Sequence, residues 1–328
     1  MKLTIAAAGH SHIASLRDGR RRPDGAELEF VDPGPQVAAY RAMIREVAFD
    51  VCELAAATYM IARQRGAPFR ALPIFLTRRF HPSNLMVRPD AGIATAKDLE
   101  GKRIGVRAYS ITTAVWTRAF LQNALGVDLS RITWVVDDEE HVQGMALPPN
   151  IEHAAPGESL VSLMAEGRID AAFGSAAGLG RTGKPGRGWE SGADEDAYIN
   201  LFPNALDLGA NWYQQTGIYP FHGVIVVKDE LLDANPWLAA SLMNSFEAAK
   251  HDWLPDLRTR ALTTKDDREY ASLVPIVGPD PLPYGYRANR ASIEAMMSST
   301  VQQGLLPSGL STTDYFSESG PCEETQSR

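Results

Sequence analysis

The chain has 328 residues, an apolar content of 45% and a formal net charge of −8. That length favours two cores over one, and the acidic balance argues against a nucleic-acid partner. No apolar run is long enough to span a bilayer, and the two cysteines, Cys52 and Cys322, suggest neither a disulfide framework nor a metal motif.

In chain order, residues 3–7 read as the first strand. The apolar run there spans only about six residues before His10 and His12, too short for a signal peptide, so a cytoplasmic protein is expected. Residues 27–31 form a second extended run, closed by the turn 32–35. Val37, Tyr40, Ile44 and Val47 recur at helical spacing, which predicts a helix over Gln36–Glu46. A strand over 49–54 follows, with Glu53 near its carboxyl end, then a helix over 55–65. Phe69–Phe75 and Leu85–Val87 are further extended segments. This alternation predicts a mostly parallel sheet with both faces covered.

Residues 101–121, GKRIGVRAYSITTAVWTRAFL, are the most informative stretch. A buried strand over 102–106 leads through a polar loop into a helix over 112–121. Such a turn directs unpaired backbone N–H groups, the positive end of the helix dipole, at one point. Ser110, Thr112 and Thr113 add hydroxyls, while Arg107 and Arg118 offer charge. The stretch is therefore a candidate carboxylate site, although the same hydroxyls would serve as plain helix caps. The blander account of Arg118, two turns into the helix, puts it at the surface.

Further on, 132–136 reads as a strand before the acidic patch 137–140, and 145–153 as irregular or extended. A helix over 158–166 ends at Gly167, and a strand of small residues, 169–173, leads to Gly174. The segment 175–194, rich in glycine and charge, is a surface excursion or a lid. Residues 223–227 form a strand. Asn235 and Pro236 open the clearest helix, with Trp237, Leu238, Leu242 and Phe246 as its buried side. From Leu305 the composition predicts a tail that lies over the surface or frays.

Several stretches together carry a resemblance. They are FDVCELAAATYM at 49–60, FLTRRFHPSNLMV at 75–87, the run 98–127 around TTAVW, LMAEGRIDA at 163–171, LFPNA at 201–205, and the run 213–250 that contains TGIYPFH. On these the chain resembles the 4,5-dihydroxyphthalate decarboxylase family. It departs from the family's usual Glu and Gln at Ala108 and Ser110. The resemblance implies an α/β, two-lobed periplasmic-binding-protein-like (type II) fold with a central cleft and two hinge crossovers. Residues 1–88 and 224–328 would form lobe one, and 89–223 lobe two. The implied activity is non-oxidative decarboxylation of a hydroxylated aromatic carboxylate, foremost 4,5-dihydroxyphthalate to 3,4-dihydroxybenzoate (protocatechuate). Ligand would sit in the cleft, at the carboxyl ends of the strands, where Arg78, His81, Thr112, Thr113 and His222 would converge.

That reaction needs a proton at the ring carbon bearing the departing carboxylate, an acceptor for a phenol, and a cation for the carboxylate that stays. Holding the departing group by charge would oppose the reaction. His222, just before the return strand, is the first candidate acid, and His81 is the alternative acid or a phenol partner. His10 or His12 is expected to touch ligand, and Glu53 to orient a histidine or accept from a phenol. Arg78 and Arg79 would point opposite ways on an extended chain, so one of the two is a candidate carboxylate clamp. Arg107 competes for that role. Trp116, Tyr109 and Tyr213 are candidates to stack on an aromatic ring. His141, His153 and His251 read as surface or structural residues.

No phosphate-binding glycine motif or strong zinc spacing is present, so neither an organic cofactor nor a metal is expected. The expected partner is a small anionic aromatic substrate, without nucleic acid or membrane, and self-association is left open. The rival reading is a non-catalytic or sensory protein that holds a small aromatic or other carboxylate anion unchanged.

Overall fold

In a computed structural model, which describes residues 1–32, 34–82, 85–182, 190–259 and 264–316, the chain divides into two units. Unit 1 comprises Met1–Arg78, Phe221–Glu294 and Gly309–Arg328; unit 2 comprises Arg79–Pro220 and Ala295–Ser308. The strands are β1 (Lys2–Ala6), β2 (Glu27–Phe30), β3 (Val51–Ala55), β4 (Phe69–Phe75), β5 (Leu85–Val87), β6 (Arg103–Val106), β7 (Thr133–Val136), β8 (Ile151–His153), β9 (Ala171–Phe173), β10 (Arg181–Thr182), β11 (Glu190–Ser191), β12 (Ile199–Asn200) and β13 (Gly223–Lys228). The helices are α1 (Ala14–Arg17), α2 (Gln36–Glu46), α3 (Ala56–Gln64), α4 (Thr112–Asn123), α5 (Leu160–Ala165), α6 (Ala205–Thr216), α7 (Asp229–Ala234), α8 (Leu238–Thr259), α9 (Lys265–Val277) and α10 (Tyr286–Gln302). Among the described residues no helix is long and apolar enough to cross a membrane.

Unit 1 is built on a sheet of order β2-β1-β3-β13-β4. β1, β2 and β3 run parallel, and β13 pairs antiparallel with both β3 and β4. β3 is buried along its whole length, as befits an inner strand covered on both faces. Glu53 therefore sits inside the strand, between Cys52 and Leu54, both fully buried. Two expectations need correcting in this unit. The tail does not simply fray, because Tyr315 and Phe316 are buried, with the Tyr59 hydroxyl donating to the Tyr315 carbonyl and Phe316 bridging to Ala71. Two aromatic side chains in a polar stretch are enough to dock it against β4. Trp237 is 43% exposed rather than buried. Asn235 closes α7 instead of capping the next helix, and α8 starts only at Leu238.

Unit 2 is built on a sheet of order β12-β5-β9-β6-β7-β8. β9, β6, β7 and β8 are parallel, while β5 and β12 add antiparallel pairs at one edge. The division differs in three places from the expected lobes, the smallest being residues 221–223, which belong to unit 1. Residues 79–88 belong to unit 2, because β5 pairs with β9 there. Ala295–Ser308 also belongs to it, because the buried Gln303 accepts from Arg118 Nε at 2.8 Å and donates to the Val115 carbonyl at 3.0 Å. Arg118 is not a surface residue. It is fully buried, its guanidinium lies 3.8 Å over the Tyr109 ring, and Nη2 donates to the Tyr109 carbonyl.

α6 was not predicted from the sequence, since its buried positions are only Gly209 and Trp212. Gly209 lets the helix approach Phe80 so closely that a Cβ there would lie 2.4 Å from it. Ser83, Cys322 and residues 183–189 of the expected excursion lie outside the described residues; β10 and β11 on either side pair antiparallel.

Candidate active site

β3 and the loop after β1 bring together a buried group of titratable side chains in unit 1. A glutamate in a buried strand has to find donors, and Glu53, 2% exposed, finds them on the loop after β1. Its Oε2 accepts from the Ala8 N–H at 3.0 Å and meets His10 Nε2 at 3.0 Å. Burial works against the Glu53 charge, but His10 and the Ala8 N–H outweigh it and hold the carboxyl below its ordinary range. The same burial works against a charged His10, and the facing carboxylate reverses that, so its pKa is raised. The carboxylate thus favours the imidazolium form of His10, with only 8% of the His10 side chain exposed.

β13 closes the other side. The His222 N–H donates to the Thr77 carbonyl at 2.8 Å, its carbonyl accepts from Ala56, and its charge also favours ionised Glu53. Next to it, Gly223 donates to Thr77 Oγ1 at 2.7 Å. A Cβ at Gly223 would lie 2.3 Å from Glu53 Oε1, so the absence of a side chain makes room for the carboxylate.

His12 stacks on His10 with ring centroids 5.1 Å apart and also packs against Trp253 and Tyr270. Burial, reinforced by the His10 charge, pushes its pKa well down, so His12 is neutral. The short turn Ser11–Ile13, which carries His12 and has His10 at its N-cap, is tied down by Asp267, which accepts from Ser11 Oγ at 3.1 Å and Trp253 Nε1 at 3.0 Å. Burial opposes that carboxylate's charge, yet bonds from Thr264, Trp253 and Ser11 bring its pKa down to about 2. Arg78, also in unit 1, is buried and committed to Asn289 Oδ1 and to the rings of Phe75 and Phe221.

The remaining predicted residues lie in unit 2. The turn before α4 does gather backbone donors on a carboxylate, but the carboxylate is the chain's own Glu140. Tyr109 N donates to it at 2.6 Å, Ser110 N at 3.0 Å, and Ser110 Oγ joins them. Thr112 and Trp116 are fully buried, Trp116 packing against Trp212, which gives it a packing role in place of ring stacking on substrate. Thr113 is half-buried, and its carbonyl accepts from Thr117, whose hydroxyl also donates to the carbonyl of buried His81. Arg79 is exposed, and Tyr213 packs against Phe80 and Tyr219. Arg107 is buried, with Nη1 3.3 Å from Asp138 and 3.2 Å from His141 Nε2. It lines a cavity of about 690 Å³ together with Asp137, Asp138, His153 and Arg181. Burial raises the Asp137 carboxyl there to about 6. The sequence singles out Asp138 and Glu140 only as part of an acidic patch, and Arg181 not at all.

Residues 22–146 match the family model described as NMT1/THI5 like. Over 328 positions the chain is 29% identical to a 4,5-dihydroxyphthalate decarboxylase of Comamonas testosteroni, covering 96% of each protein. Over 185 positions it is 35% identical to the 4,5-dihydroxyphthalate decarboxylase of Pseudomonas putida, covering 54% of this chain and 71% of that one. The chain belongs to the 4,5-dihydroxyphthalate decarboxylase family. Proteins so named are carbon–carbon lyases. The fold of this family member is that of periplasmic binding proteins: the sulfonate-binding protein SsuA of Methylobacillus flagellatus superposes with a TM-score of 0.53 at 14% identity, over 96% of this chain and 91% of that one. In this decarboxylase-family chain, no group of three or more His, Cys, Asp or Glu among the described residues is placed to hold a metal ion.

Proposed function

We propose that the protein decarboxylates a hydroxylated aromatic carboxylate, with 4,5-dihydroxyphthalate as substrate and 3,4-dihydroxybenzoate as product, and that His10 supplies the proton. The observation that carries this reading is the buried His10–Glu53 pair, combined with family membership. Loss of CO2 from an aromatic ring requires an acid strong enough to protonate carbon and close enough to do so without water. An imidazolium meets both conditions. Glu53 takes one ring nitrogen, Nε2, and so fixes the ring and leaves Nδ1 as the nitrogen that donates.

The proton passes from His10 to the ring carbon bearing the departing carboxylate, with electron density pushed from the para phenol oxygen. The bond from that carbon to the carboxylate then breaks as CO2, and its electron pair restores the aromatic ring. His10 is left neutral and recovers its proton from solvent. Glu53 acts through His10 and is a positioning residue. His12, neutral and stacked on His10, supports the ring without competing for the proton. His222, the first candidate from sequence, contributes its charge to keeping Glu53 ionised.

The test is to incubate the purified protein with 4,5-dihydroxyphthalate and follow CO2 and 3,4-dihydroxybenzoate together. Stoichiometric appearance of both supports the reading. Saturable binding with neither product would overturn it in favour of a protein that only holds the anion.

A further inference from the structure

Unit 1 contains a cavity of about 390 Å³ that the catalytic reading does not use, a size within the range for small-molecule sites. Ala7, Ala8 and Gly9 of the loop after β1 form one wall, with Arg17, Phe30 and Gln36 among the other lining residues. The cavity shares two residues with the His10–Glu53 pair: Ala8 donates its N–H to Glu53 Oε2, and Gln36 Nε2 donates to the Glu53 carbonyl at 3.3 Å. The Arg17 guanidinium lies 4.5 Å from the centre of the Phe30 ring, and Nη2 is anchored on the Ala7 carbonyl. Stacking and one anchoring bond hold the fork in place while leaving its other N–H groups for a ligand. α2 begins at Gln36 with no side-chain cap on its first turn. Asp32, the acidic residue among the described residues that line the cavity, accepts through Oδ1 from the Gly34 N–H at 2.9 Å and, with Glu53, acts electrostatically on Arg17. An added Cβ at Gly9 would meet no atom within 4 Å, so the space beside that residue is open.

From this we infer that Arg17 is the clamp for the carboxylate that remains on the ring, seated in this cavity. The inference rests on the decarboxylation reading for its substrate, and it assigns the clamp to a residue other than Arg78, Arg79 or Arg107. A cation at the retained carboxylate, rather than at the departing one, orients the ring without stabilising the ground state of the group to be lost.

The test uses phthalate, which carries both carboxylates but no hydroxyl to drive the reaction, so binding is read apart from turnover. Calorimetry should show phthalate bound by the wild type, and Arg17→Met should weaken it by about tenfold or more, the usual effect of losing a charge-assisted bidentate contact. Catechol, with no carboxylate, should bind both forms alike. Gly9→Val, which keeps Arg17 but fills space beside the loop, should also weaken phthalate, and guards against a folding defect in the first variant. Phthalate affinity unchanged in Arg17→Met, or no phthalate binding by the wild type, overturns the clamp. Arg17-dependent phthalate binding without turnover of 4,5-dihydroxyphthalate would uphold the anion pocket and remove only the decarboxylation reading.

Discussion

Glu53→Gln keeps the size of the side chain and an acceptor for the Ala8 N–H, but removes the negative charge 3.0 Å from His10 Nε2. At that separation and an effective dielectric of about 20 the attraction is about 5 kcal/mol, much of it offset by desolvation of both groups. His10 can release its proton when the partner goes, so no bare charge stays buried. The expected loss of stability is therefore about 1–3 kcal/mol, while kcat falls about 10²–10⁴-fold, the usual contribution of a positioned acid.

The pH dependence follows with its sign. A raised folded pKa means His10 adds stability that is complete below the ordinary value of 6.5 and fades as pH rises through the folded value. Glu53, with a lowered folded pKa, adds stability that is present above the ordinary 4.5 and fades as pH falls through its folded value. In wild type the alkaline limb of kcat should lie above 6.5, and in the variant it should move to lower pH. Rate–pH profiles of the two proteins measure this directly. A Glu53→Gln enzyme with kcat within about threefold of wild type and an unmoved alkaline limb would refute the reasoning.

Two other predictions concern neighbouring features. Gly223→Ala places a Cβ 2.3 Å from Glu53 Oε1 and 2.8 Å from Thr77 Oγ1, so it should cost about 1–3 kcal/mol and lower kcat without adding to the effect of Glu53→Gln; full activity in the glycine variant would show that the carboxylate has room to spare. Burial raises Asp137 to about 6, which means the folded state keeps a proton that the unfolded state releases, and stability is lost as pH rises from 3.8 through that value. Asp137→Asn should accordingly be about 1–3 kcal/mol more stable than wild type near pH 8 and equal to it near pH 4; denaturant melts at the two pH values decide, and equal stability at both contradicts the shift.

The regular elements were legible because they depend on local periodicity. The stripe Val37, Tyr40, Ile44 and Val47 places α2 at Gln36–Glu46, as observed, and the strand–helix alternation led to parallel sheets. α6 escaped because its buried side rests on a glycine and one tryptophan, which leaves no apolar stripe to read. The site was legible only in its parts. His10 and Glu53 were both candidates, but their pairing depends on the register of β1 against β3, Ile5 opposite Val51, which no spacing within either segment reveals. The carboxylate-binding character of the turn before α4 was visible in Ser110, yet its occupant, Glu140, lies 30 residues further on and reaches the turn only through the parallel pairing of β6 with β7. Arg17 carries no motif at all. It stands out only once Phe30 and the Ala7 carbonyl are seen to hold it in the lining of a cavity.

The most direct measurement is turnover of 4,5-dihydroxyphthalate by His10→Gln beside His222→Ala, with binding of 3,4-dihydroxybenzoate recorded for both. His10→Gln should lose at least about 10²-fold in kcat while still binding the product, and His222→Ala should lose less. Near-normal turnover by His10→Gln, with the larger loss in His222→Ala, would contradict the account and return the acid to His222, just before β13.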